Sequence, residues 1–333
     1  MTILLSTPIL FLLSMISSPA FGRMWKRTTN WCPNGVIYVG DFNGDNRQDL
    51  LCHNTNYESI DFADHYGKFS YPSWWRSYFW CSIPGDQIHI GDFNGDGRSD
   101  ILCHNSMNGY KKIRYANYQK DFSSYVWQSD MRWCRSGQLL IGDFNGDGRD
   151  DMMCHTKMMK QISYADQYGR FTGTSWYKSM GWCTHTGSEL HLGDFNGNGR
   201  ADMLCHDTRG NQWVAFATCA GTFTGGTDWH KSLGCSEARS SIHIADFNGD
   251  GRDDILCHYN YGNIKINFAD FEGNFKPYSW WTAQYNFCYR DDEFFFVGDF
   301  DGDNHSDMFC HKFLDHQKIA YATSTGVFNY KFY

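Results

Sequence analysis

The chain has 333 residues, with 29 Lys and Arg against 37 Asp and Glu, a net charge of −8. That acidic balance, with no basic run, argues against nucleic acid as a partner. The length would hold two ordinary domains, but repetition across nearly all of it argues for a single domain built from equivalent units.

In chain order, the first segment is residues 1–22, MTILLSTPILFLLSMISSPAFG, apolar and ending in small residues that offer cleavage points after Ala20 or Gly22. It reads as a secretory signal peptide, although a basic start is missing. The rival reading is an uncleaved anchor, for which about 17 mostly apolar residues, broken by Pro8 and several serines, are short. No later segment is apolar for long enough to cross a bilayer. The mature chain, residues 23–333, is therefore expected to be secreted, extracellular and without a membrane span.

The first unit then unfolds as a fixed series: Trp25, an aromatic-Cys pair at Cys32, the apolar stretch GVIYVGD, an acidic turn, the stretch DLLCH, the segment SIDFADHYGKF, and a run from Phe69 to Trp74. The series recurs five times. Its acidic turns occupy residues 41–49, 92–100, 143–151, 194–202, 246–254 and 299–307, with leading aspartates 51, 51, 51, 52 and 53 residues apart. Short runs rich in β-branched and aromatic residues, split by Gly, Asn and Asp, are strands. Nothing sustains a helical period. The expected fold is all-β: a six-bladed β-propeller of about 51-residue, four-stranded repeats. At the far end Phe328 aligns with Phe69 and Phe171, which sets Tyr333 where Trp74 and Trp176 stand. The series stops where it starts, so a closed ring is expected.

Thirteen cysteines fit an oxidising compartment. Cys32, Cys81, Cys134, Cys183, Cys235 and Cys288 follow aromatic residues in most units, and Cys52, Cys103, Cys154, Cys205, Cys257 and Cys310 precede a His. Pairing within a unit is simplest; pairing each Cys-His cysteine with the next unit's aromatic-Cys is equally possible, since sequence does not fix connectivity. Cys219 is left over.

The turn pattern Asp-x-Asn-x-Asp-Gly-x-x-Asp places oxygen donors at positions 1, 3, 5 and 9, with a backbone carbonyl at position 7 and a bend at the glycine in position 6. Hard-cation, all-oxygen ligation at this spacing implies Ca²⁺, up to six ions in all. The ligand sets are Asp41, Asn43, Asp45, Arg47 and Asp49; Asp92, Asn94, Asp96, Arg98 and Asp100; Asp143, Asn145, Asp147, Arg149 and Asp151. The later three are Asp194, Asn196, Asn198, Arg200 and Asp202; Asp246, Asn248, Asp250, Arg252 and Asp254; Asp299, Asp301, Asp303, His305 and Asp307. These turns hold 18 of the 37 acidic residues at positions 1, 3, 5 and 9, a concentration that a merely solvated surface would not show. Asn198 removes a charge from the fourth turn and Asp301 adds one to the sixth, so the fourth should be weakest and the sixth tightest.

The turn, its strand flanks and the blade-length period resemble the FG-GAP/VCBS repeats of integrin α-subunit-like β-propellers, over about residues 25–333. The resemblance implies the propeller fold and calcium. It departs in having no Phe-Gly-Gly-Ala-Pro string and in its cysteine framework, so it implies little about a ligand.

Two other repeated sets carry chemistry. His53, His104, His155, His206, His258 and His311 follow cysteines; zinc would need thiolates, so a hydrogen-bonded structural or rim role is the better reading. The position-7 arginines should pair with nearby carboxylates, the alternative being a cationic ring for an anionic ligand. Trp74, Trp127, Trp176, Trp229 and Trp281 are weighed between blade-to-blade packing and stacking on a sugar ring. No nucleophile elbow, phosphate loop or His-Glu-x-x-His helix occurs. The irregularities are modest, namely Cys219, the KMMK segment from Lys157, the RDDEFFF stretch from Arg290 and small insertions in the last two units, which favours a multivalent binder whose best-fitting ligand is an extracellular glycan. A polysaccharide-acting enzyme such as a lyase would instead need a single, repeat-breaking Tyr, His and Arg cluster, and an adhesion module would bind a protein across one face.

Overall fold

A computed structural model describes residues 23–77, 80–129, 132–276, 280–282 and 286–328, excepting the side chains of 123–126 and 280–282. The leader reading at residues 1–22 lies outside them. Among the described residues, twenty-four strands form six separate four-stranded antiparallel sheets. In the first blade β2 (Val36–Gly40), β3 (Asp49–His53), β4 (Glu58–Asp61) and β5 (Trp74–Arg76) pair in sequence order, and Gly40 faces Asp49 across the hairpin that the acidic turn closes. The innermost strands of the next four blades are β6 (Asp86–Gly91), β10 (Gln138–Gly142), β14 (Ser188–Gly193) and β18 (Ser241–Ala245). With β22 (Glu293–Gly298) they touch their neighbours all round, including β2 against β22. The acidic turns follow these strands and so ring one mouth of the channel.

Closure is made by the start of the described chain. β1 (Met24–Thr28) takes the outer place in the sixth blade, beside β24 (His316–Ala320), with β23 (Asp307–Lys312) and β22 within. Trp25 faces Ile319 as Trp74 faces Ile60. The place expected for Tyr333 is thus filled by Trp25, and Tyr333 lies outside the described residues.

The core sits in the seams. The phenylalanine at turn position 2 is at most 1 % exposed in every blade. It meets a phenylalanine of the next blade edge-on: Phe42 with Phe122 at 6.2 Å, Phe93 with Phe171 at 5.9 Å, Phe300 with Phe69 at 5.8 Å. Such aromatic pairs add directionality to burial. Twelve cysteines pair within units, from Cys32–Cys52 and Cys81–Cys103 to Cys288–Cys310, and Cys219 is free and exposed. No helix of the described residues is long and apolar enough to cross a membrane.

Candidate functional sites

Each acidic turn is organised by its own carboxylates. In the first, Gly44 N donates to Asp41 Oδ1 and Asn46 N to Asp41 Oδ2, both at 2.7 Å. Asp49, fully buried, accepts from Phe42 N at 3.1 Å and from Ala63 N at 2.9 Å, joining the turn to the segment after β4. The sixth turn repeats this with Asp307, Phe300 N and Ala322 N. Neighbouring turns are also linked: Ser99 N donates to Asp41 O, Asp150 N to Asp92 O, Ala201 N to Asp143 O, Asp253 N to Asp194 O, Ser306 N to Asp246 O and Gln48 N to Asp299 O, at 2.6–2.8 Å. The bonds run full circle.

Four of the five position-7 arginines follow the carboxylate-pairing reading, while Arg200, with Asn198 at position 5, has no salt bridge among the described residues. Arg47 pairs with Asp45 at 2.5 Å, Arg98 with Asp96 at 2.6 Å, Arg149 with Asp147 and Arg252 with Asp250. Their stems lie over the preceding turn; a methyl group on Gly44, itself at φ +76°, would stand 3.0 Å from Arg98 Cγ.

Does this donor set fit a cation? Three observations say that it does. Burial, reinforced by neighbouring carboxylates, pushes Asp49, Asp151, Asp202 and Asp254 up to about 8, the signature of negative charge that the protein alone does not balance. Asn196 Oδ1 and Asp301 Oδ1, both at position 3, are buried without a hydrogen-bond partner. In the sixth turn Asp299, Asp301 and Asp307 bring carboxylate oxygens within 4.8 Å of one another. In the first turn the Asn43 amide presents its nitrogen to Asp49 at 3.0 Å; rotating the amide by half a turn presents the oxygen instead. One feature was not legible beforehand: Arg23 Nη2 reaches Asp301 Oδ2 at 2.6 Å, so the extra charge of the sixth turn is partly neutralised.

The tryptophans of the sequence reading lie in the seams. Trp74 meets Phe122 at 5.3 Å, Trp127 meets Phe171 at 5.4 Å, Trp176 meets Phe223 at 6.1 Å and Trp229 meets Phe275 at 5.3 Å, all edge-on. This is the packing role. The fifth member is corrected by register: Trp280, facing Ile266, is the counterpart of Trp74, whereas Trp281 faces Lys265. Their side chains lie outside those described.

The seams leave clefts beside these rings. Between the sixth and first blades a cleft of about 540 Å³ is lined by Trp25, Arg27, Trp31, Phe69 and Tyr71, the last 82 % exposed. In the fourth blade a smaller one, about 180 Å³, holds Trp182, His185, Trp213 and Thr227, with the His230 ring stacked on Trp213 at 4.9 Å. Trp31 and Trp182 were visible only as the aromatic partners of cysteines, which marked register and not cleft walls.

Two of the Cys-His histidines, His53 and His258, take the structural role. His53 bonds Glu58 Oε1 and Cys81 O, each at 3.1 Å, and His258 bonds Phe287 O at 2.9 Å, so each reaches the segment leading into the next blade. Their neighbouring cysteines are disulfide-bonded, which removes the thiolates that zinc would require.

A family model described as an FG-GAP-like repeat matches residues 41–103, 92–154, 143–205 and 194–257. Among solved structures the chain is similar to a lectin of Agrocybe aegerita described as specifically recognising non-reducing terminal N-acetylglucosamine. Identity is 19 %, the TM-score 0.59, and the match covers 88 % of this chain and 78 % of that one. It is also similar to part of a Photorhabdus luminescens Tc holotoxin pore, at 12 % identity and TM-score 0.59, covering 92 % of this chain but 15 % of that one. These likenesses bear on the fold alone. No match was found among curated protein sequences.

Proposed function

The chain belongs to the family of FG-GAP-like repeats, and from that premise we propose that it is a secreted, calcium-stabilised, multivalent binding protein whose ligand is an extracellular glycan. The observation that carries the glycan reading is the cleft between the sixth and first blades. There the exposed Tyr71 ring stands beside Trp25, the largely buried Trp31 and the Arg27 guanidinium, which is held by Asp61 at 2.6 Å and Gln317 at 2.7 Å. Apolar ring faces flanked by polar donors suit a pyranose, which has an apolar face and a rim of hydroxyls. A second aromatic cleft at Trp182 and Trp213 supports valency above one.

Calcium would be held by the carboxylates and amides at positions 1, 3, 5 and 9 of each turn, with the position-7 carbonyls. When bound it supplies positive charge to buried carboxylates. Six ions would turn the net charge from −8 to about +4. Six disulfides support an oxidising, extracellular location.

The test is a glycan array probed in calcium and again in EDTA. The expected result is binding to one related group of glycans, lost in EDTA and lost on Tyr71→Ala, whose ring is the exposed one of the cleft. A silent array, with calcium still raising the melting temperature, would overturn the glycan reading and leave the metal reading intact.

A further inference from the structure

One cavity breaks the sixfold repeat. It opens between the fifth and sixth blades at the starts of β18 and β22, on the side away from the acidic turns, and its volume is about 630 Å³. Small-molecule sites span ~300–1,000 Å³. The residue directly after the first cysteine of a unit is aromatic in the sixth blade alone, where it is Tyr289, and the next is Arg290. Tyr289 and Phe294 present partly open rings, 38 % and 44 % exposed. The imidazoles of His243 and His258 line the cavity as well, packed on Phe295 at 4.6 and 4.3 Å.

The lining sets Arg239 and Arg290 against Asp291 and Glu293. Arg239 of the fifth blade pairs with Asp291 of the sixth. Both side chains are largely exposed, 69 % and 79 %, and such pairs are worth only ~0–1 kcal/mol, so a competing carboxylate can replace Asp291. Glu293 faces Lys318 at 3.6 Å, which does not line the cavity, while the nearby His316 imidazole is disfavoured as a cation by its burial. Arg290, whose guanidinium lies 5.7 Å from the Tyr289 ring, feels the charge of Glu293 but makes no salt bridge among the described residues, so its fork is open to a ligand. A guanidinium offers a planar fork that grips a carboxylate through two hydrogen bonds. Asn260, also in the lining, has a side-chain oxygen with no partner in the protein.

We propose that this cavity is a single, non-repeated binding site for a carboxylate-bearing sugar of the uronic-acid class. Arg239 and Arg290 hold the carboxylate, and Tyr289 with Phe294 receives the face of the ring. The site is distinct from the aromatic clefts of the proposed function, so either can fail without the other.

The experiment is titration of the full chain, in calcium, with glucuronate, with its methyl ester and with malonate, followed by ligand-observed NMR. Glucuronate is expected to bind at least tenfold more tightly than the other two. Arg239→Gln and Arg290→Gln, both surface changes, should each weaken glucuronate at least tenfold with unchanged melting temperature, while Tyr71→Ala in the sixth-to-first cleft leaves it unaltered. Equal binding of the ester would overturn the role of the carboxylate, and equal binding of malonate the role of the sugar. Loss of binding in Tyr71→Ala, with the arginine variants unaffected, would relocate the ligand and overturn the site. So would failure of glucuronate to bind.

Discussion

At the scale of single residues, the acidic turns and one buried ion pair carry the sharpest expectations. Asn198→Asp restores the missing carboxylate of the fourth turn and should raise its calcium affinity on the order of tenfold, because ligand charge tunes such sites; site-resolved titration checks it. The sixth turn is expected to gain affinity when Arg23→Gln frees Asp301 from its guanidinium partner. At the first seam Arg114 meets Glu58 at 2.5 Å, both side chains buried, and lies 4.0 Å over the Trp80 ring. Removing Arg114 leaves buried Glu58 with only the His53 imidazole as partner, so Arg114→Leu should cost about 3 kcal/mol in chemical denaturation. The turn residues were legible because ligand chemistry fixes their spacing. Arg23 was not: its partner lies 278 residues away, and nothing local signals it.

At the scale of elements, the disulfides and the closing strand decide behaviour. Each bridge spans 20 or 22 residues, which in the chain-entropy picture stabilises by about 3 kcal/mol. Cys134→Ser with Cys154→Ser should lower stability by that order and leave the other blades paired, as read by denaturation and by peptide mapping. Pairing within units was only one of two possible patterns, since the alternation of cysteines along the chain is the same for both. The strands themselves were readable from their composition and bounding turns. The tryptophans show the limit of such reading: Trp74-Trp75 and Trp280-Trp281 are doublets, and spacing to the next cysteine does not say which indole faces the seam. Only the pairing of Trp280 with Ile266 resolves it.

At the scale of the whole molecule, acid should be the ring's weakness. Burial holds His89, His155, His191 and His311 down at about 4 and His104 and His243 at about 3, below the usual ~6.5. The unfolded chain therefore takes up protons first as pH falls. These groups stabilise the fold fully above about 6.5 and lose that contribution progressively toward pH 4 and below. Melting temperature in saturating calcium should accordingly drop across that window, and a flat profile would contradict the burial of these imidazoles. The period made the ring itself legible, whereas the cavity between the fifth and sixth blades was not, because it is assembled from two blades whose contributing residues stand about 50 positions apart.

Every blade but the sixth draws its strands from one continuous stretch, so the circle is fastened at one place, where five residues of β1 lie along β24 from Met24 beside Ala320 to Thr28 beside His316. Mechanically this is a clasp. A pull applied ahead of Met24 loads that ladder from its end, one residue pair at a time, while the loops, turns and disulfides of the other blades bear little of the force. In a force-extension experiment the ring should open there first, at low load, and reclose when the tension is released.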